Sequence, residues 1–465
     1  MLTRLEAHNF KNLVNFSIDF GPFTCIAGPN ASGKSNIFDA IYFLSLLAEG
    51  TLMDAALGIR GGESTSDLKD IFWSDGEKIA RDIILAAEMI VPDNVVDDFG
   101  RSATAKSTYL RYEVCLGYES ALNKGDMPRI YLKQESLHQI KEKEAGARLC
   151  FNHSAKHFRS QVIQNSRKSR NGFISTEYSS EGHTEILVHQ DGGARGHPQR
   201  APAHSAPRTI VGTSNTSSTP TILAAKREMQ KWRILALEPS AMRQSDRFHS
   251  PRIIDESGRH LAATLYKLSV SEGIDKEQVF SRLSNRISSL VPISNVLVDV
   301  DEVRQLLTLQ AEERNGLRVS ARSLSDGTLR FIALALISED NDSEGLICME
   351  EPENGIHPAK IPAMVELLQD LVLDPQEEIG PDNPMRQMVI ATHSPNVVQM
   401  QNEDDLMFAQ EVTLKGEGGE TVVTVNCIPL ENSHRAVKKG GRAIGKSSIL
   451  SYLTSPPGAQ ISLEL

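Results

Sequence analysis

Val14, Phe16, Ile18 and Phe20 alternate with polar neighbours in LVNFSIDF, the period of a half-buried strand. Leu2, Leu5 and Phe10 extend this strand-like character toward the N-terminus. The unbroken apolar run FTCIAG that follows predicts a strand buried on both faces and ending in a turn. From Ser35 the period changes. Ile37, Ala40, Ile41, Leu44, Leu47 and Ala48 fall on one broad face of a helix. Strand, Gly-rich turn and helix, in that order, predict the opening of an α/β nucleotide-binding unit.

Three short β-like runs follow between about 80 and 145 (ARDIILAAEMIV, STYLRYEVCLGY, RIYLKQESLHQI). Residues of about 146 to 220 are polar, His-rich and locally basic. GGARGHPQRAPAHSAP and VGTSNTSSTP read as loops. Helical patterns resume at about 221 (TILAAKREMQKWRILAL, GRHLAATLYKLSV), followed by a strand-like VPISNVLVDVD. The last third returns to α/β alternation: an apolar helix in ARSLSDGTLRFIALALIS, a buried strand in GLICMEE, an amphipathic helix in KIPAMVELLQDLVL, and a buried strand in RQMVIATHS. Residues 404–465 read as a tail with two β-like segments. The expected organisation is an ATPase part over 1–75, a β-rich lobe with a polar His/Arg-rich insertion over 76–220, the second ATPase part over 221–405, and an extension over 406–465.

The chain has 465 residues, 40% hydrophobic and 23% charged, with a net charge of -11. That balance excludes a wholly basic nucleic-acid coat but leaves room for a local basic groove. Five scattered cysteines without CxxC spacing argue against a disulfide framework and a cysteine zinc site, and point to a reducing compartment. The N-terminal stretch shows no signal-peptide pattern, and no apolar run is long enough to span a bilayer, so a cytoplasmic protein without a membrane partner is expected.

Gly28-Pro-Asn-Ala-Ser-Gly33-Lys34-Ser35 fits the phosphate-loop pattern G-x-x-x-x-G-K-[ST] in its required strand–turn–helix setting. The glycines let backbone N–H groups wrap a phosphate, and the helix directs its positive end at the anion. Lys34 reaches the β- and γ-phosphates of ATP, and Ser35 offers its hydroxyl to Mg²⁺. Asn30 and Asn36 count with Gly33, Lys34 and Ser35 as cofactor-binding residues. A second match, Gly440 to Ser447, follows the polar ENSHRAVKK, which cannot be a buried strand, and reads as a surface loop. In GLICMEE, Glu350 suits metal coordination, and Glu351 suits activation of an attacking water.

LSDGTLR (Leu324 to Arg330) opens a helix shortly before these acids, EEPENGIHP follows at once, and ATHSP brings His393 to a strand end. Here the chain resembles the ABC ATPase superfamily in its RecF/SMC/OLD-like branch. LSDGTLR looks like the signature motif, EEPENGIHP like Walker B with D-loop, and ATHSP like the switch-histidine segment. The resemblance covers roughly 1–75 and 221–405 and implies an α/β, ABC-type ATPase head: a mixed sheet flanked by helices, with a β-rich N-terminal lobe and an inserted region. It implies ATP hydrolysis with Lys34, Glu351 and His393 as catalytic residues and Ser35 and Glu350 on Mg²⁺. It also implies a head-to-tail dimer or higher homo-oligomer in which Ser325 and Gly327 of one copy close on ATP held by another. On its own, a histidine at a strand end serves structure as readily as function. Glu350 stands where many members carry Asp, a difference that bears on metal geometry; Asp326 stands where transporters carry Gly, and that favours the repair and defence branch. Gln134 is a weak match to the Q-loop. ALEPSAMR and the D-x-x-G-x-x-L-A helix after it also look like this branch, with no chemical role evident beyond packing.

The chain lacks the long heptads of SMC proteins, and too few residues follow His393 for a Toprim nuclease domain. Any nuclease or toxin effector is therefore expected as a separate chain. The first functional reading is an ATPase subunit of prokaryotic anti-phage defence. Alternatives are a RecF-like DNA-binding repair ATPase and an ATP-locked scaffold with very slow turnover. In the insertion, His153 and His157 lack the HExxH pattern of a metal site, whereas Arg159, Arg167, Lys168 and Arg170 could contact nucleic acid or a partner.

Overall fold

The computed structural model describes residues 1–59, 67–120, 127–165, 172–179, 183–191, 197–270, 276–415 and 421–454. Its centre is a six-stranded sheet in the order Arg233–Ile234, Gly345–Glu350, Arg386–Thr392, Phe23–Ala27, Leu406–Lys415, Thr421–Pro429. The first five strands run parallel, and the last is antiparallel. Both faces are covered, as the unbroken apolar runs require. Ile26, Cys348 and Val389 pack into one core beneath the Lys34–Glu49 helix, while Cys25, Ile347 and Ile390 point into a second core with the Asp326–Glu339 and Ile361–Asp370 helices.

An eight-stranded antiparallel sheet forms the lobe beside it, in the order 199–202, 184–188, 174–178, 129–139, 109–119, 82–90, 2–8, 16–19. This is the expected α/β arrangement, a mixed sheet flanked by helices beside a β-rich lobe. A four-stranded sheet built from 246–247, 293–301, 306–313 and 318–320 packs with the Leu261–Val270 and Lys276–Leu290 helices.

Three segments depart from the pattern reading. The helix beginning at Pro220 ends at Met229, and WRIL supplies the edge strand of the central sheet, where Arg233 and Ile234 pair with Ile347 and Cys348. Hydrophobic period alone cannot separate so short a strand from the end of a helix. The polar insertion adds strands 174–178, 184–188 and 199–202 to the lobe, the last of them inside GGARGHPQRAPAHSAP, which reads as a loop. Residues 406–415 and 421–429, set apart as an extension, are integral strands of the central sheet.

Candidate functional site

The phosphate loop leaves the Phe23–Ala27 strand and enters the Lys34–Glu49 helix, which has no capping side chain and no acid in its first turn. No side chain thus competes with an anion at that positive helix end. Gly33 sits at φ +85°, where a Cβ would lie 2.3 Å from Val425 Cγ2 and 2.5 Å from Asn12 Nδ2. A Cβ on Gly28 would lie 2.4 Å from the Ala409 carbonyl oxygen. The loop is therefore walled by the C-terminal strands and by the turn at Asn12, and only glycine fits at both places.

A cavity of about 350 Å³ opens above the loop. Asn30, Gly33, Lys34, Ser35 and Asn36 line it from the loop side, Glu350 and Glu351 from the end of the acidic strand, and Asn12 from the N-terminal turn. Lys34 is buried, and its Nζ donates to the carbonyls of Gly28 at 2.9 Å and Pro29 at 2.7 Å. Burial lowers its pKa, against the pull of the Glu351 and Glu350 carboxylates.

Glu351 stands at φ +45°, a left-handed conformation rare for a residue with a side chain. Its N–H donates to the Ala391 carbonyl at 2.8 Å, which ties the turn to the neighbouring strand. Both carboxylate oxygens are held, Oε1 by His393 Nδ1 at 2.7 Å and Oε2 by Asn354 Nδ2 at 2.6 Å. Beneath them Glu353 is buried, which raises its carboxyl pKa, and its Oε1 accepts the Thr392 hydroxyl at 2.5 Å. Thr392 Oγ1 in turn accepts the Ser394 N–H at 2.9 Å. The acidic turn and the histidine turn are thus stitched into one unit.

Ser325 caps the Asp326–Glu339 helix, its Oγ accepting the Thr328 N–H at 3.2 Å. Neither Ser325 nor Gly327 lines the cavity of its own chain. Gly327 instead lies against the loop after the acids, where an added Cβ would be 3.4 Å from the Gly355 oxygen.

Gln134 lies on the 129–139 strand of the lobe, bonded to the Tyr178 hydroxyl at 3.4 Å and outside the cavity lining. The second phosphate-loop match follows the helix His434–Lys439, and Lys446 Nζ donates to the carbonyls of Gln399 and Gln401 at 2.8 and 2.7 Å, a structural tether. In the insertion, His153 turns to the Phe151 carbonyl and His157 to Glu378. Arg167, Lys168 and Arg170 lie outside the described residues. Sequence reasoning passed over Asn12 and Asn354. Asn9, Lys11 and Asn15 all take positive φ, so the 9–15 turn carries an asparagine signal, but nothing in the sequence says what that turn faces.

The chemistry of the donor set fits a nucleotide with its divalent cation. Backbone and ammonium donors face a capless helix end, and a hydroxyl and carboxylates stand opposite. No helix among the described residues is long and apolar enough to cross a membrane.

A family model described as "AAA ATPase domain" matches residues 1–191, and one described as "AAA domain, putative AbiEii toxin, Type IV TA system" matches residues 238–399. The chain is 34% identical over 111 residues to Structural maintenance of chromosomes protein 1 of Arabidopsis thaliana, covering 22% of this chain and 8% of that protein. It is 46% identical over 46 residues to the DNA replication and repair protein RecF of Psychromonas ingrahamii, covering 10% and 13%. With RecF of Lactococcus lactis it shares 32% over 106 residues, covering 22% and 26%. The matched stretches therefore span about a quarter or less of these relatives. Among solved structures, an Smc head bound to the C-winged helix domain of ScpA aligns over 92% of this chain and 98% of its own, at 15% identity and a TM-score of 0.47. The SMC head domain of Thermotoga maritima aligns over 92% and 99%, at 12% identity and a TM-score of 0.36.

Proposed function

We propose that this chain, whose motifs, fold and matches support an ABC-type ATPase of the RecF/SMC family, hydrolyses ATP at the phosphate-loop cavity and uses the cycle to join and release copies of itself. The observation that carries the reading is the convergence on one cavity of the phosphate loop, Lys34, Ser35 and both Glu350 and Glu351. Lys34 gives up its contacts with the Gly28 and Pro29 carbonyls to bind the terminal phosphates. Ser35 and Glu350 would hold Mg²⁺, which neutralises charge on the β- and γ-phosphates when bound. Glu351, aimed by its left-handed backbone and by Asn354, orients a water and takes its proton, while His393 leaves Glu351 to meet the γ-phosphate. Because Ser325 and Gly327 lie off the cavity of their own chain, a second copy supplies them.

We assign the output of this cycle to a separately encoded effector, in the manner of a defence or toxin system, and the similarity of residues 238–399 to an AAA domain family that includes a toxin–antitoxin system protein supports that class. The RecF matches favour a second reading, in which duplex DNA is the partner. Glu351→Gln should bind ATP, lose turnover by roughly a hundredfold or more and accumulate as closed assemblies. Unchanged hydrolysis in that variant would refute the base assignment. Stimulation of the wild type by duplex DNA alone would favour the repair reading, and stimulation only by a co-purifying protein would favour the effector reading.

A further inference from the structure

The conspicuous segment ALEPSAMR has no part in the site as described so far, yet it ends against the signature motif. Arg243 follows the short helix Pro239–Met242, and one nitrogen, Nη2, donates both to the Asp326 carboxylate at 2.6 Å and to the Leu324 carbonyl at 2.8 Å. These two acceptors flank Ser325, so a single guanidinium grips the signature turn on either side of its serine. The segment that presents Arg243 is braced at several points. Leu235 N–H donates to the Cys348 carbonyl on the acidic strand at 2.8 Å. Ala236 and Glu238 N–H donate to the Glu256 and Ser257 carbonyls at 2.7 and 2.8 Å. Asp255, in turn, gathers the Ser257 and Arg259 N–H groups at 3.0 and 2.8 Å. A second brace lies just beyond Arg243, where Asp246 bonds His260 Nδ1 at 2.7 Å and the Ala263 N–H at 3.0 Å. A hydrogen-bonded path thus runs from the strand bearing Glu350 to the turn bearing Ser325. Arg243 is about a quarter exposed and Asp326 about half, so the pair contributes little to stability as an ion pair. Its worth lies in geometry.

We propose that Arg243 is a positioning residue for the composite reaction: it holds Ser325 and Gly327 at the angle at which they engage nucleotide bound by another copy. The assignment rests on the ATPase reading above. Arg243 does not line the nucleotide cavity, so its loss should spare nucleotide binding and damage closure and turnover. A misplacement of about 1 Å in such a group costs up to about a hundredfold in rate.

The test compares wild type, Lys34→Ala, Arg243→Gln, Arg243→Lys, Asp326→Asn and the double variant Arg243→Gln/Asp326→Asn. Each is measured for affinity toward a fluorescent ATP analogue, kcat, KM, ATP-driven self-association and melting temperature. Arg243→Gln should lower kcat by about ten- to a hundredfold and weaken ATP-driven association, with analogue affinity and melting temperature near wild type. Arg243→Lys should recover part of the loss, and adding Asp326→Asn to Arg243→Gln should cost little more, because both remove one contact. If wild type turns over ATP and Arg243→Gln does so at the same rate, the positioning role is overturned while the ATPase reading stands. A parallel fall of melting temperature and analogue affinity in both Arg243 variants would also overturn it, in favour of a merely structural role. A wild type no faster than Lys34→Ala would overturn the ATPase reading and this assignment with it.

Discussion

At the residue scale, the site is defined by what cannot be enlarged. A methyl group at Gly33 would meet Val425 and Asn12 well inside contact distance, on a backbone at φ +85° that disfavours any Cβ. Gly33→Ala should therefore cost about 1–3 kcal/mol and abolish nucleotide binding, read by thermal melting and titration of an ATP analogue. Lys34→Ala should also lose nucleotide binding but keep a near-normal melting temperature, since the partners it leaves are loop carbonyls beside an open cavity that can accept from water. Asn354→Ala tests how Glu351 is aimed. It removes the 2.6 Å grip on one carboxylate oxygen and should lower kcat by about tenfold with KM unchanged. Most of these side chains were readable from the sequence because each motif names its own residue. Asn12, Asn354 and Arg243 were not, since their roles come from neighbours 20 or more positions away or from a turn whose direction no local pattern encodes. Asn12, for example, meets Asn36 Nδ2 at 2.7 Å across 24 residues.

At the scale of elements, the phosphate-loop helix is fastened at its far end by the insertion. Arg208 donates to the Glu49 carbonyl at 2.9 Å and Thr209 to the Leu47 carbonyl at 3.0 Å, capping the last turn. The segment making those caps is itself held by Glu135 on the 129–139 strand, which accepts the N–H groups of Ile210 and Val211 at 2.6 and 3.0 Å and lies 3.2 Å from the Tyr112 hydroxyl. Burial pushes the Glu135 carboxyl up to about 7, against the opposing pull of those three donors. A carboxyl with a folded pKa above its ordinary 4.5 favours folding most when protonated. Its contribution is complete below about pH 4.5 and is lost as pH rises to about 7, a change of up to about 3 kcal/mol. Glu135→Gln should flatten that part of the stability–pH curve in denaturant titrations. An unchanged slope between pH 5 and 7 (roughly the window set by those two values) would show that Glu135 stays ionised when buried. The strands with continuous apolar runs were legible because a sheet covered on both faces demands such runs. The Arg233–Ile234 strand and the insertion strands were not, since two to five residues carry too little periodicity and their partners lie far away in sequence.

At the scale of the whole molecule, the motif residues fall into two groups that do not share a cavity. Lys34, Ser35, Glu350 and Glu351 share one cavity, while Ser325 and Gly327 stand at the start of the Asp326–Glu339 helix, Gly327 beside the Gly355 loop. The C-terminal strands, which looked separable, wall the phosphate loop through Ala409 and Val425, so truncation before residue 406 should remove nucleotide binding along with two strands of the central sheet. One mixing experiment asks whether neighbouring copies complete each other's sites. Lys34→Ala and Ser325→Ala proteins, each inactive alone, are combined under conditions of subunit exchange, and ATP turnover is followed. Random pairing makes half the dimers mixed, and each mixed dimer regains one sound site of two, so about a quarter of wild-type turnover should return. A mixture that stays inactive while exchange is demonstrably complete would contradict the shared site.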